Sequence, residues 1–274
     1  MIGIKRAKGV GLRSTTLEIG LRTGSGWHAK IRSSSNAEVL NMEAEKVNWA
    51  SDVLPVASKA FIKTLPGISV LLTKTLDGNP SFGLVGILPS EKLIAGITDA
   101  TNRLRSVSTV NILFIEPEWT RPDSIETNLG KLALSKQKHR QLHPDFSRLT
   151  LNELRDMVDK GPGEQAKVLT HGDWCMPNVL MNSKGQVTGI VDLGELHVGD
   201  EKLDPAIMSW TIRANMGNQW EDSYLNSLNL NSQDDGINYQ RLIYDLGLKH
   251  SDPWSWLDDS ELAERRVQAK RFGE

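Results

Sequence analysis

Residues 168–192 hold this chain's tightest constraint: short apolar, β-branched runs broken by polar loops in which two carboxylates and an amide sit at fixed spacing. Residues 168–170 and 179–181 read as strands, Ser183-Lys184-Gly185 as a turn, and residues 187–191 as a third strand. Between the first two strands lies His171-Gly172-Asp173-Trp174-Cys175-Met176-Pro177-Asn178, and Asp192 ends the third. The chain must therefore fold so that this loop and this strand end face each other.

Three oxygen-bearing side chains on two neighbouring loops are what ATP-dependent phosphoryl transfer requires. Its barrier falls mainly through in-line placement and through neutralisation of charge on the phosphate oxygens. In this reading Asp173 accepts the hydrogen bond of an acceptor hydroxyl, while Asn178 and Asp192 hold Mg²⁺. A hard cation takes oxygen ligands, and an amide beside a carboxylate adds no further unpaired charge. Read as structure alone, Asp173 caps a turn and Asp192 ends a strand. The joint spacing favours the chemistry.

A nucleotide enzyme of this kind also needs a strand lysine and a helix glutamate to hold it. Residues 27–31 alternate like a strand, and Lys30 is their only lysine. Residues 37–51 have helical character, with Val39, Met42, Lys46 and Trp49 spaced at threes and fours, and they offer Glu43 or Glu45 as the partner. Ahead of them, Gly9-Val10-Gly11-Leu12-Arg13-Ser14-Thr15-Thr16 is either a plain turn or a loop bringing backbone N–H groups and the hydroxyls of Ser14 and Thr15 to phosphate.

The run from His171 to Asn178, Ile190-Val191-Asp192-Leu193-Gly194, Val198-Gly199-Asp200 and Asp204-Pro205-Ala206 together resemble the aminoglycoside phosphotransferase family, antibiotic-resistance kinases with a protein-kinase-like fold. The Asp-x-Cys-x-Pro-Asn form resembles the branch acting on 3′ and 3″ hydroxyls. The resemblance implies an α+β, two-lobed fold: a small β-rich nucleotide lobe over residues 1–78, a hinge at about 74–78, and a larger, mainly helical catalytic lobe over 79–274. It implies Asp173 as catalytic base, Asn178 and Asp192 as metal ligands, and His171 and Asp204 as supports of the catalytic loop. It selects Glu43 as the partner of Lys30, because Glu43, Trp49 and Leu54-Pro55-Val56 match a family pattern. It sets the adenine edge against the backbone of Lys74 and Leu76, with Thr73 bordering the back of the pocket. ATP, with GTP as the alternative donor, Mg²⁺ and a small cationic aminoglycoside follow as cofactors and substrate.

Departures from the family fall in the substrate pocket. Gly194-Glu195-Leu196-His197 stands where Gly-Arg-x-Gly is common, Arg105 stands where a histidine often follows the first helix of the catalytic lobe, and a Leu-Asp-Glu pattern reduces to Tyr244-Asp245-Leu246. Glu195, Glu221, Asp222 and Asp245 are accordingly the candidate wall for an amine-bearing substrate.

Charge bears on the same question. Residues 1–80 hold 11 Lys+Arg against 6 Asp+Glu, and residues 81–274 hold 21 against 28. A basic part thus precedes an acidic one, as a triphosphate lobe and a polycation site would. With 274 residues, 39% of them hydrophobic, the chain can supply two cores. The sequence predicts a cytoplasmic protein, monomer or dimer, with no nucleic-acid or membrane partner, no membrane span and no signal peptide. The one cysteine, Cys175, forbids an internal disulfide, and the spacing of His139 and His143 suits a solvated helix face better than zinc. Amphipathic patterns predict helices over 90–107, 149–158 and 206–216, a loop over 117–122, and an acidic tail over 252–264 that either packs as a last helix or walls the substrate. A kinase for a sugar, amino alcohol or choline-like metabolite, and a nucleotide-binding protein without catalysis, are the alternative readings.

Overall fold

The computed structural model describes residues 3–6 and 15–20 as backbone, and residues 26–134 and 142–247 in full. Ser14, the rest of the glycine-rich loop up to it, His139 and the 252–264 tail lie outside the described residues. Thr15 is described only as the first backbone position of a strand.

The N-terminal part is an antiparallel five-stranded sheet with one helix against it. Its strands are β1 (Gly3–Arg6), β2 (Thr15–Gly20), β3 (Gly26–Ser33), β4 (Ala60–Leu65) and β5 (Ile68–Lys74), in the spatial order β1-β2-β3-β5-β4. Lys30 lies opposite Thr16 on one side and Leu71 on the other, so its height in the sheet is set by two ladders. Helix α1 (Ala37–Ala50) buries Leu40, Ala44, Val47 and Ala50, one stripe at helical spacing. The sequence pattern had pointed to a stripe through Val39, but Val39 is exposed and Trp49 packs at the rim, edge-on to Phe114 at 5.3 Å between centroids. Small residues at 44 and 50 let the helix approach the sheet more closely than a row of large side chains permits.

After Lys74 the chain leaves this sheet. Strand β6 (Asn79–Pro80) pairs with β8 (Val179–Met181), which pairs with β9 (Val187–Ile190), while β7 (Lys167–Thr170) pairs with β10 (His197–Asp200). The intervening and following chain is helical: α2 (Ser90–Arg105), α3 (Pro122–Leu134), α4 (Pro144–Ser147), α5 (Leu151–Lys160), α6 (Leu203–Met216), α7 (Asn218–Ser227) and α8 (Asp235–Gly247). Helix α5 starts where Thr150 and Glu153 form a reciprocal capping box, which satisfies two N-terminal N–H groups. A short 3₁₀ turn, Glu118–Thr120, lies within the predicted 117–122 loop.

Two apolar cores result. One runs from α1 and the sheet through Leu93, Ile97 and Leu104 of α2 to Leu169, Trp174 and Met176 beside the catalytic loop. The other gathers Ile125, Leu129, Phe146, Leu154, Trp210, Leu242 and Leu246 among the C-terminal helices. Among the described residues no helix is long and apolar enough to cross a membrane.

Candidate active site

The loop after β7 is shaped by backbone contacts that its sequence makes unavoidable. Gly172 has φ +80°, and a Cβ there would lie 2.6 Å from the Glu195 carbonyl oxygen, so glycine is required on both counts. Asp204, at the start of α6 and wholly buried, accepts the backbone N–H of His171 at 2.6 Å and of Gly172 at 3.0 Å. Burial pushes the Asp204 carboxyl up to about 6, against the pull of His171 and the two N–H donors. His171, also buried, has Nε2 at 3.0 Å from the Val191 carbonyl, which ties the loop to the residue before Asp192. Asp204 thus contacts the start of the loop, and His171 joins the loop to the segment carrying Asp192.

Asp173 is partly open. Its Oδ2 accepts the Asn178 amide at 3.1 Å, and Asn178 also donates to the Asp173 carbonyl at 2.9 Å. The Asn178 backbone carbonyl accepts the Val191 N–H at 3.0 Å, so the oxygen that can serve as a ligand is the side-chain Oδ1. Asp192 follows directly on Val191, which is bonded to this loop, and sits in the left-handed region (φ 63°, ψ 60°), a conformation uncommon for a residue other than glycine. Lys30 Nζ stands 2.9 and 2.8 Å from the Glu43 carboxylate oxygens and 2.7 Å from Asp192 Oδ1. Burial lowers the Lys30 pKa, but Asp192 and Glu43 outweigh it and hold the ammonium above its ordinary value. The Asp192 side chain is about half exposed (49%), and although partial desolvation opposes its ionisation, the charge and hydrogen bond of Lys30 outweigh it and keep that carboxyl below its usual range. Glu45 is exposed, and of the two glutamates it is Glu43 that meets Lys30.

A second lysine, Lys46 of α1, has no role that the sequence assigns. Lys46 is 4% exposed and donates to the Gly194 carbonyl at 2.6 Å. Burial depresses its pKa, partly offset by Glu195 and Glu43. One helix therefore contacts both Lys30 and the turn that follows Asp192.

Thr73 is in β5 opposite His28, and Lys74 opposite Trp27. Leu76 packs toward β9, where a Cβ on Gly189 would be 2.8 Å from its Cδ1. The Thr188 hydroxyl donates to the Asp77 carbonyl at 2.5 Å, fixing the connecting segment against the second sheet.

These distances define a lysine–glutamate–aspartate bridge and an aspartate–asparagine pair, joined through Val191, and a family model for the phosphotransferase enzyme family matches residues 26–241, which include all five. The chain belongs to the phosphotransferase enzyme family. It is similar to the aminoglycoside 3′-phosphotransferase of Escherichia coli, 23% identical over 170 residues that make up 61% of each chain. It is also similar to the streptomycin 3″-kinase of Streptomyces griseus, 24% identical over 71% of this chain and 72% of that protein. The chain thus spans about 61% of the length of the first curated relatives it matches. The solved aminoglycoside phosphotransferase APH(3″)-Id of Streptomyces rimosus, in complex with ADP and streptomycin, superposes with a TM-score of 0.66 at 19% identity, over 89% of this chain and 92% of that one. The fold is the kinase-like fold of such family members, with a sheet-rich N-terminal part and a helical C-terminal part.

The acidic residues expected at the family's substrate side divide. Glu195 is exposed beside Gly172, and Asp222 is exposed on α7. Asp245, by contrast, is fully buried and accepts the His143 backbone N–H at 2.7 Å. Glu221 is 3% exposed, hydrogen-bonded to Arg241 and 3.6 Å from Arg213. A buried carboxylate is stable only where such partners neutralise it, so the charges of Asp245 and Glu221 are engaged inside the protein and do not form an acidic wall. Arg105 pairs with Glu201 at 2.6 Å. The residue that does reach the loop from α8 is the neighbour of Asp245: Tyr244 donates its hydroxyl to Asp173 Oδ1 at 2.8 Å. Burial and the Asp173 charge push that phenol far above its ordinary pKa, so it remains a donor. Cys175 is pushed up for the same two reasons and is no nucleophile at neutral pH.

A cavity of about 570 Å³ opens between α5, α6, α7 and α8, lined by Phe146, Lys160, Arg213, Asp222 and Tyr239 among others, and contains no residue of the catalytic loop. Among the described residues no group of three His, Cys, Asp or Glu side chains could hold a metal ion by itself. The donor set fits Mg²⁺ in another way. One carboxylate at 192 and one amide oxygen at 178 are two hard ligands, and Mg²⁺ takes the remainder from water and phosphate.

Proposed function

We propose that this protein transfers the γ-phosphate of ATP to a 3′ or 3″ hydroxyl of an aminoglycoside, with GTP as the alternative donor and antibiotic resistance as the outcome. The observation that carries the reading is Lys30 joined to both Glu43 and Asp192, with the residue before Asp192 tied to the loop on which Asn178 donates to the second oxygen of Asp173.

Each residue has a distinct task. Lys30, kept charged by its two carboxylates, holds the α- and β-phosphates, and Glu43 orients it. Asn178 and Asp192 would hold Mg²⁺, which when bound neutralises phosphate charge. Asp173 orients the acceptor hydroxyl: the acceptor oxygen bonds to the γ-phosphorus, the bond from phosphorus to the ADP oxygen breaks, and the hydroxyl proton passes to Asp173. Ser14 and Thr15 lie ahead of Lys30 in sequence as further phosphate donors, and Thr73, Lys74 and Leu76 supply the adenine side. Glu195 and Asp222 are the exposed carboxylates for a cationic acceptor.

One observation favours a second reading. With Asp245 and Glu221 paired internally, the nearest α8 side chain to Asp173 is a neutral phenol, which also suits a sugar or amino alcohol. Incubating the protein with Mg²⁺, ATP or GTP and a panel including streptomycin, kanamycin, choline and simple sugars decides between them, with the phosphate mapped by NMR. Phosphate on a 3′ or 3″ hydroxyl supports the first reading. Transfer only to the small metabolites supports the second, and no transfer with any donor refutes both.

A further inference from the structure

Both carboxylate oxygens of Asp173 are engaged within the protein. Tyr244, on the last turn of α8, donates to Oδ1 at 2.8 Å, and Asn178 donates to Oδ2 at 3.1 Å. An ionised carboxylate has about four acceptor positions, so room remains for the acceptor hydroxyl. The terminal torsion of an aspartate is broad when unrestrained, and a donor on each oxygen fixes it.

Tyr244 is itself firmly placed. Its ring meets Trp119 edge-on, with centroids 5.6 Å apart and planes at 79°. The end of α8 lies so close to Trp119 that a Cβ on Gly247 would stand 2.7 Å from the Trp119 Cβ. Trp119 belongs to the 3₁₀ turn ahead of α3, so the phenol is braced from a different segment than the loop it contacts. Such bracing costs little at the moment of reaction, since the geometry is set by folding.

We propose that Tyr244 is a positioning residue whose hydroxyl holds the Asp173 carboxylate in the orientation that receives the acceptor hydroxyl, and whose ring, with Trp119, forms the neutral side of the acceptor pocket. The proposal rests on the reading of Asp173 as the base. No proton leaves Tyr244 in this role. It shapes the base, and the base meets the substrate.

Tyr244→Phe removes only the hydroxyl and keeps the ring against Trp119. Turnover falls by about ten- to a hundredfold, the scale of one hydrogen bond to a charged group, while KM for nucleotide and acceptor each stay within about twofold. In an Asp173→Asn background the same change has no further effect on the residual rate, because the residues act as one unit. Tyr244→Leu, which removes the ring, raises acceptor KM as well. A Phe variant with wild-type kcat overturns the positioning role, and so does an equal fractional loss in the Asn background. Acceptor KM unchanged in the Leu variant overturns the pocket wall. The acceptors used are streptomycin, kanamycin and water, the last read as nucleotide hydrolysis. Wild-type hydrolysis without aminoglycoside transfer sinks the aminoglycoside reading, and the Phe comparison on hydrolysis still decides the proposal. Absence of both reactions sinks the two together.

Discussion

Replacing His197 with glutamine should alter the pH dependence of stability by a calculable amount. His197 opens β10 opposite Thr170 and is 1% exposed. Its Nδ1 donates to the Glu195 carbonyl at 2.8 Å, and Nε2 faces the Thr170 hydroxyl at 3.3 Å, so the neutral ring is satisfied where it stands. Burial lowers its pKa to about 4; the Glu195 carbonyl and Glu116 pull it up, and Lys46 and Lys167 push it down. The unfolded chain takes up this proton near the ordinary value of about 6.5. Between those values the unfolded state binds more protons, so the contribution is fully present above about 6.5 and is lost as pH falls toward 4. At 1.36 kcal/mol per unit, the full loss is about 3 kcal/mol, of which about 1.4 kcal/mol has gone by pH 5.5. Urea unfolding of wild type and His197→Gln at about pH 8 and about pH 5.5 isolates it, because His143, also lowered by burial, is common to both proteins. The variant should be the less stable protein at the higher pH through imperfect packing, and the gap should shrink by about 1.4 kcal/mol at the lower one. A gap that is the same at both pH values would refute the assignment of a neutral, buried His197.

Asp173→Asn should leave folding and nucleotide binding nearly intact and lower kcat by at least about a hundredfold, the scale of a positioned base; near-normal turnover removes Asp173 from the chemistry. Asp192→Ala should abolish the Mg²⁺ dependence of ATP binding measured by calorimetry, since a ligand is lost and Lys30 loses one of its two carboxylates. Lys46→Met should weaken Mg²⁺-dependent ATP binding by roughly tenfold through the loosened Gly194 turn, with little loss of thermal stability because a buried charge has been removed. Unchanged affinity in that variant would mean that Lys46 serves packing alone.

The parts of this molecule legible in its sequence are those whose cause is local. Strands β7, β8 and β9 follow from β-branched runs bounded by turns, and the loop carrying Asp173 and Asn178 is specified within eight residues. Helices α2 and α6 follow from periodicity, with ends displaced by a few residues. What depended on docking was harder to read. Asp245 and Tyr244 are adjacent and both polar, and only the angle at which α8 meets the loop decides that the tyrosine reaches Asp173 while the aspartate turns in to the His143 N–H. Glu221 reads as an acidic surface residue until Arg241, twenty positions away on another helix, is set beside it.

Helix α1 carries the same lesson into function. Glu43 could be picked out because its partner had to be a strand lysine, a residue type that a sequence displays. Lys46 could not, because its partner is the Gly194 carbonyl, a group that every residue possesses and no side chain announces. Yet the two lie one turn apart on one face and bind two different segments of the site: Glu43 holds Lys30 of the sheet, and Lys46 holds the turn that follows Asp192. A shift of α1 along its axis would disturb both contacts together, so the distance between Lys30 and Asp192, the bridge on which nucleotide binding is proposed to depend, is set by the seating of this single helix on Leu40, Ala44, Val47 and Ala50.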